Sequence, residues 1–157
     1  MNKQILIVVF ISMSLMCTLS SCKSNLYDKI GSYIKKNCEN KDTCILFLKD
    51  ITDFEWEQFY YIPNGNYATE ILGFDYLFNT DLSEAIVFLR EGKIVYHEEV
   101  FQHPSKPSKY TFCKTGKSFE IIDYKYLLFT PDEAVFYITE WKDRKNHYLL
   151  HPIEPIP

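Results

Sequence analysis

The amino-acid sequence predicts a single α+β domain, with one or two helices packed on an antiparallel sheet of about five to seven strands. Three observations lead to this fold class. An amphipathic helical pattern lies towards the N-terminus, segments of strand length follow it, and two pairs of these segments are joined by short turns that contain glycine. The length of 157 residues also fits one domain, because domains commonly have roughly 100–200 residues.

The first predicted element is a helix over residues 25–37. Its apolar positions recur at the spacing of one helix face: Leu26, Ile30, Tyr33 and Ile34. Asn25 can cap the N-terminus, and a Lys35–Lys36 pair suits the C-terminal end, where the helix dipole is negative. We expect the apolar face to pack on the sheet.

The next segments alternate between strand and turn. Cys44–Leu48 is an apolar run of strand length, and a second extended segment from Phe54 ends at Pro63. Asn64-Gly65-Asn66 predicts a turn. Thr69–Leu72 predicts a short helix, which Gly73 would close.

The clearest hairpin pairs Ala85–Leu89 with Ile94–Val100, and Gly92 lies in the turn between them. The C-terminal third predicts the remaining extended segments. These are a second hairpin turned at Gly116, two further strands, and a proline-rich tail that forms an extended strap: Tyr110–Cys113 with Ser118–Ile122, then Tyr126–Phe129 and Ala134–Trp141, then residues 147–157.

Composition narrows the function classes. Apolar residues make up 46% of the chain and charged residues 24%, a balance that excludes wholesale disorder. The chain has 17 Lys and Arg against 21 Asp and Glu, so no basic excess is available to neutralise phosphates. We therefore expect no nucleic-acid partner.

The N-terminus predicts export. Met1–Lys3 is a short basic region, and Ile5–Cys17 is an apolar run broken only by two serines. About 13 helical residues rise roughly 20 Å, which is short of the roughly 30 Å hydrocarbon core of a membrane. The run is therefore typical of a signal peptide and not of a transmembrane span.

Leu19-Ser20-Ser21-Cys22, which follows this run, resembles the lipobox of bacterial prolipoproteins. The resemblance implies that residues 1–21 are a lipoprotein signal peptide, that cleavage precedes Cys22, and that Cys22 carries a lipid such as palmitate. Two or more acyl chains hold a domain stably on a membrane. The alternative is an ordinary secretory signal with a cysteine nearby by chance. Residues 22–157 would then form the domain, with a tether over residues 22–25.

The resemblance also implies a location in the cell envelope. Position 23 is Lys and not the Asp that resembles an inner-membrane retention signal. We expect the periplasmic face of the outer membrane in a Gram-negative cell, and the outer face of the cell membrane in a Gram-positive one. Loss of Lys3 with the signal peptide makes the net charge of −4 one unit more negative. The lipid, and not a basic surface of the domain, would therefore hold the protein on the membrane.

Three cysteines remain in the domain, and export favours their oxidation. Cys38 and Cys44 are close in sequence, and a disulfide between them would stabilise the fold by about 2 kcal/mol in the chain-entropy model. A bridge from either of them to Cys113 is the second possibility, and three reduced cysteines are the third. The spacing does not indicate zinc.

Several short motifs suggest an enzyme but lack its full pattern. Ser32-Tyr33-Ile34-Lys35 and Lys114-Thr115-Gly116 match two motifs of penicillin-recognising serine enzymes, yet the third motif is missing and the chain is too short. His97, Glu99 and His103 offer metal ligands without a recognised metal spacing. The acidic residues Asp50, Asp53, Glu55 and Glu57 lack the EF-hand pattern. We expect no enzyme activity, no cofactor and no metal site.

Residues 49–73 are loosely similar to small, uncharacterised bacterial exported proteins and lipoproteins. The similarity lies in three stretches: residues 50–57, Tyr60-Tyr61-Ile62-Pro63 and Glu70-Ile71-Leu72-Gly73. This similarity implies that residues 49–73 belong to a domain of that kind, and it implies no biochemical activity.

Surplus tyrosine suggests what the domain does. The chain has 12 tyrosines, too many to be all interior, and tyrosine is enriched at recognition surfaces. Tyr60, Tyr61 and Tyr96 are the candidate binding residues. The preferred hypothesis is a non-catalytic envelope module that binds a protein, of accessory, inhibitor or immunity type. The alternatives are a small hydrolase or metal-dependent enzyme that uses His97 and its neighbours, and a module that binds glycan or lipid.

Overall fold

Two helices and eight strands make up the described part of the fold. The computed structural model describes residues 24–38, 43–73, 83–101, 108–113 and 125–153. Helix α1 is Leu26–Asn37 and helix α2 is Ala68–Leu72. The strands are β1 (Ile45–Phe47), β2 (Gln58–Ile62), β3 (Ser83–Arg90), β4 (Lys93–Phe101), β5 (Tyr110–Phe112), β6 (Leu127–Phe129), β7 (Val135–Glu140) and β8 (Tyr148–Pro152).

Local sequence explains where both helices begin and end. The Asn25 side chain accepts a hydrogen bond from the backbone N–H of Asp28, 2.7 Å away, and so caps α1 as predicted. Helix α2 ends at Gly73, which has a left-handed φ of 75° that other residues rarely adopt. Short 3₁₀ turns at Leu48–Asp50 and Gly65–Tyr67 connect the early elements.

The strands divide between two four-stranded sheets. Sheet A has the order β1-β7-β8-β5 and sheet B the order β4-β3-β2-β6. Neighbouring strands are antiparallel in both sheets, except that β5 pairs in parallel with β8. In the β3–β4 hairpin, Glu91 and Gly92 have φ values of 51° and 70°, as a two-residue turn with a right-handed strand twist requires.

The main hydrophobic core lies between the two sheets and under α1. Phe59 and Phe88 from sheet B pack against Phe112 and Phe136 from sheet A, and all four rings are fully buried. Helix α1 contributes Leu26, Tyr27, Ile30 and Ile34 to the same cluster. The amphipathic face predicted for α1 is therefore the face that it buries.

A second, smaller core covers the opposite face of sheet B. Because side chains alternate along a strand, Ala85, Val87 and Leu89 of β3 point away from the main core. They pack with Ile62 and with Ala68 of α2. Strand β3 is therefore buried on both faces, from Ser83 to Leu89.

The α+β class and the two helices are confirmed, as are the strands predicted near residues 44–48, 85–100 and 134–141. The eight described strands form two sheets, however, and one strand pair is parallel. The tail predicted as a strap supplies β8, which lies inside sheet A. The predicted strand Ser118–Ile122 and the turn at Gly116 lie outside the described residues.

Candidate functional site

The three candidate tyrosines do not share a surface. Tyr60 and Tyr61 are neighbours on β2 and face opposite sides of sheet B. Tyr61 is in the core with 1% of its surface exposed. Tyr96, on β4, is partly buried against the ring of Phe54, whose centroid is 5.1 Å away. Only Tyr60 lies on the outer face of sheet B.

Tyr61 is part of a buried hydrogen-bonded cluster. Its hydroxyl donates to Oε1 of Glu84 at 2.7 Å, and the hydroxyl of Tyr27 donates to Oε2 at 3.0 Å. Glu84 is 1% exposed, so these two hydroxyls compensate for a carboxyl group taken out of water. Burial, and then the charge of Glu84, raises the pKa of Tyr27 well above its usual value. The cluster stabilises the core between helix and sheet.

Tyr96 holds the start of α1. Its hydroxyl donates to Oε2 of Glu98 at 2.7 Å, and the backbone N–H of Leu26 donates to both Tyr96 Oη and Glu98 Oε2, at 3.0 and 2.8 Å. A carboxylate at a helix N-terminus interacts favourably with the helix dipole. Strand β4 therefore fixes the first turn of α1.

The partly buried Tyr60 belongs to a group that we call the tyrosine patch, whose other members are exposed: Tyr60, Tyr67, Tyr126 and Leu128. The rings of Tyr60 and Tyr126 have centroids 5.9 Å apart, and Leu128 is the register partner of Tyr60. Tyr126 is 43% exposed and Leu128 42%. Burial, and then the proximity of Tyr126, raises the pKa of Tyr60, so the Tyr60 hydroxyl is a neutral donor near pH 7.

Lys125 fixes one side of the tyrosine patch. Its Nζ forms an ion pair with Oε1 of Glu70 at 2.8 Å and lies 5.2 Å from the centroid of the Tyr67 ring. Helix α2 is thereby connected to the segment before β6. This ion pair lies beside the patch, whose own members are three tyrosines and a leucine without formal charge.

A concave surface that we call the helix groove lies between α1 and sheet A. It has a volume of about 510 Å³ and falls within the size range of small-ligand sites, about 300–1,000 Å³. Its lining includes Gly31, Lys35, Lys109, Tyr110 and Tyr148. Cys38 and Cys44, which the structure joins by a disulfide with Cα atoms 5.1 Å apart, also line it.

Two of three stacked tyrosines, Tyr110 and Tyr148, line the helix groove. Tyr110 stacks on Tyr27 on one side, with centroids 5.3 Å apart, and on Tyr148 on the other, at 6.1 Å. The Tyr110 hydroxyl lies so close to Gly31 that a side chain at this position would meet it. Glycine at position 31 therefore allows the tyrosine stack to contact the helix backbone.

The acidic and histidine residues considered as ligands are dispersed. Asp53 pairs with Lys29 at 2.6 Å, Glu55 pairs with Arg90, and Glu57 accepts from the backbone N–H of Glu91. His97 and Glu99 share the outer face of β4, whereas His103 lies outside the described residues. Across the described ranges, no group of three or more His, Cys, Asp or Glu side chains could hold a metal ion.

Of the two motif matches in the sequence, the structure describes only the first. Ser32 and Lys35 are exposed on α1, while residues 114–116 lie outside the described part of the chain. Cys113 is reduced and buried, and burial raises its pKa to about 11. Cys22 and the lipobox also precede the first described residue. Of the helices that the structure describes, none is long and apolar enough to cross a membrane.

Sequence reasoning missed Leu128, Lys125 and the helix groove. Strand alternation could have separated Tyr60 from Tyr61, because adjacent strand residues face opposite sides. No sequence signal links Gly31 to Tyr110, since the two meet only in the folded chain. The comparisons with known proteins add no residues: no protein family, no curated protein and no solved structure matches this chain.

Proposed function

We propose that this chain is a lipid-anchored protein of the bacterial cell envelope whose domain binds a protein partner through the tyrosine patch and catalyses no reaction. The accessory, inhibitor and immunity types all fit this proposal. The observation that carries it is the patch itself, where Tyr60, Tyr126 and Leu128 lie together on the outer face of sheet B and Lys125 connects them to the ring of Tyr67.

The chemistry of the tyrosine patch suits protein recognition. Tyrosine offers a large rigid ring with a hydroxyl at its end, and interface centres are enriched in such residues and depleted of charge. The Lys125–Glu70 pair borders the patch, as polar residues border typical interfaces. The net charge, −4 for the full sequence and one unit more negative without Lys3, favours a partner with a basic surface around an apolar centre.

Photo-crosslinking in intact cells tests the patch. A photoreactive amino acid at Leu128 should give one adduct of defined mass, whereas the same group at the exposed Lys142, in the β7–β8 connection, should not. The Tyr126→Ala variant should weaken the Leu128 adduct several-fold. Equal adducts at both positions, or none at Leu128, would overturn the proposal.

The lipid anchor has a separate test. Cys22→Ala should abolish incorporation of labelled palmitate and leave the precursor at full length, whereas the matched variant Cys17→Ala should change neither. Palmitate incorporation that persists in Cys22→Ala would rule out this anchor.

The helix groove supports a second candidate, a module that binds an envelope glycan or lipid. Its lining combines the rings of Tyr110 and Tyr148 with the charged side chains of Lys35, Lys109 and Glu140. Glycan fragments of the cell wall should shift the NMR signals of Tyr110, Tyr148 and Lys109 if this candidate is correct. Shifts absent from these residues at millimolar glycan would eliminate it.

A further inference from the structure

The cations of this acidic chain are unevenly distributed. Of the Lys and Arg residues in the described ranges, some form ion pairs with carboxylates: Lys29, Lys49, Arg90 and Lys125. Most of the others are exposed and belong to segments that border the helix groove, and we call them the basic cluster: Lys35, Lys109, Lys142, Arg144 and Lys145. No member of the basic cluster forms an ion pair with a carboxylate of the described residues.

Three segments bring the basic cluster to one end of sheet A. Lys35 on α1 and Lys109, just before β5, line the groove directly. The other three cations lie in the β7–β8 turn, between Glu140 and Asn146, which also line the groove. The backbone N–H of Tyr148 donates to the carbonyl oxygen of Lys109 at 2.8 Å. The end of the β7–β8 turn is therefore adjacent to the start of β5.

Hydrogen bonds fix the shape of the β7–β8 turn. The N–H of Trp141 donates to the carbonyl of His147 at 2.7 Å, and the N–H of His147 donates to that of Arg144 at 3.1 Å. Oε1 of Glu140 accepts from the N–H of Asn146 at 2.8 Å. The Arg144 guanidinium lies 4.7 Å from the centroid of the Trp141 ring. Because the turn is already ordered, a ligand that binds its cations has less conformational entropy to remove.

The charge of this end is opposite to that of the whole chain. The five cations of the basic cluster share it with the carboxylates of Glu140 and Asp143, and Glu140 is engaged by the turn. Residues 39–42, outside the described ranges, contain two acids and one lysine. The chain as a whole has a net charge of −4. Clefts lined by charges of one sign concentrate ligands of the opposite sign, so this end favours an anionic ligand.

The helix groove adds contacts that suit a sugar. The rings of Tyr110 and Tyr148 line it and are partly exposed. The C–H groups on one face of a sugar ring are slightly positive and complement the negative face of an aromatic ring. The side-chain oxygens of Glu140 and Asn146 can accept hydrogen bonds from sugar hydroxyls. An acidic sugar would use the rings, the acceptors and the cations together.

We propose that the helix groove and the basic cluster bind an acidic glycan, with a sugar ring on the tyrosines and anionic groups on the cations. The inference rests on the second candidate of the proposed function, the glycan module, and names its ligand class. It depends neither on the tyrosine patch nor on the lipid anchor. Because the cations continue from the groove onto the β7–β8 turn, the glycan would present several acidic groups in succession.

Fluorescence anisotropy with labelled oligosaccharides tests the ligand class. The full chain, purified in an uncharged polyoxyethylene detergent, would be titrated against an oligogalacturonate, which carries carboxylates, and a phosphorylated maltooligosaccharide. At least one of them should bind several-fold more tightly than neutral maltooligosaccharide of the same length, and it identifies the acidic group. Its affinity should fall as salt screens the charges. Polyglutamate, an anionic chain without sugar rings, should bind several-fold more weakly.

Charge reversal tests the location. Lys109→Glu and Lys145→Glu should each weaken binding of the acidic glycan several-fold, because each replaces an attraction with a repulsion. The matched control is Lys93→Glu at the start of β4 in sheet B, which changes the net charge equally at another exposed lysine and should have little effect. Equal weakening by all three variants would show a general effect of net charge and would overturn the inference.

The remaining outcomes separate this inference from the proposed function. Neutral maltooligosaccharide that binds as tightly as the acidic oligosaccharides would overturn the acidic ligand and leave the glycan module standing. Polyglutamate that binds equally well would overturn the sugar contacts. Absence of binding to every saccharide would overturn both the inference and the glycan module. None of these results would change a single protein adduct at Leu128.

Discussion

Tyr60 and Tyr61 are consecutive residues of one strand, yet their surroundings differ completely. Tyr61 lies in the core and donates a hydrogen bond to the buried Glu84, while Tyr60 contacts Tyr126 on the outer face of sheet B. The pleat of β2 alone decides which side each ring takes. The tyrosines of a tyrosine-rich sequence thus fall into two groups. One group stabilises the core, and the other is available to contact a partner.

The two faces of sheet B differ in the same way as these two residues. The inner face carries Phe59 and Phe88 against sheet A, and on the outer face α2 packs against β2 and β3 through Ala68. The tyrosine patch lies beside this contact, where Tyr126 is 43% exposed and Leu128 42%. Substitutions on the inner face should therefore change stability, and those in the patch should change binding.

The largest expected difference between the faces comes from apolar truncation. Phe88→Ala should lower the free energy of unfolding by about 3–5 kcal/mol, because it leaves a cavity among stacked rings. Leu128→Ala, on the outer face, should cost about 1 kcal/mol or less. Urea denaturation followed by circular dichroism measures both. Similar losses of unfolding free energy in the two variants would contradict the distinction between the inner and outer faces of sheet B.

A smaller difference is expected from the hydroxyl groups. Tyr61→Phe removes a donor to the buried Glu84 and should cost about 1–3 kcal/mol of unfolding free energy. Tyr60→Phe should change stability by no more than about 0.5 kcal/mol. The same denaturation experiment compares the two. A Tyr60→Phe variant as destabilised as Tyr61→Phe would show that the outer hydroxyl is also structural.

The smallest expected effect is a dependence on alkaline pH. Burial raises the pKa of Tyr27 in the folded chain above its usual value of 10.0. The folded state then binds more protons than the unfolded state, so this stabilisation is complete below about pH 10 and declines as pH rises further. Tyr27→Phe should flatten the decline in unfolding free energy. Tyr60→Phe should flatten it less, because Tyr60 is less buried; an equal or larger effect would contradict this assignment.

Signals that act over a few residues predicted their elements well. The cap at Asn25, the glycine that ends α2 and the turn at Gly92 all act locally, and the structure contains each of them. The partition into two sheets could not be predicted in this way. The pairing of Tyr110 with Tyr148 depends on contacts between distant parts of the chain, which alternation does not reveal.

In the candidate site, too, local features could be predicted from the sequence and contacts between distant residues could not. Tyr60 could be proposed from composition, but its neighbours Tyr126 and Leu128 reach it only through the β2–β6 pairing. The helix groove depends on how α1 crosses sheet A, and Gly31 marks that crossing. The sequence could therefore predict single members of a surface, such as Tyr60, but not which residues form that surface together.

The position of β8 inside sheet A makes that sheet depend on a late segment of the chain. Strands β5 and β7 both pair with β8, so loss of residues 148–152 would remove the partner that joins them. Sheet B has all four of its strands before residue 130 and would lose none of them. Such a chain would keep the strands of sheet B, but the inner face with Phe59 and Phe88 would lose the ordered sheet that covers it.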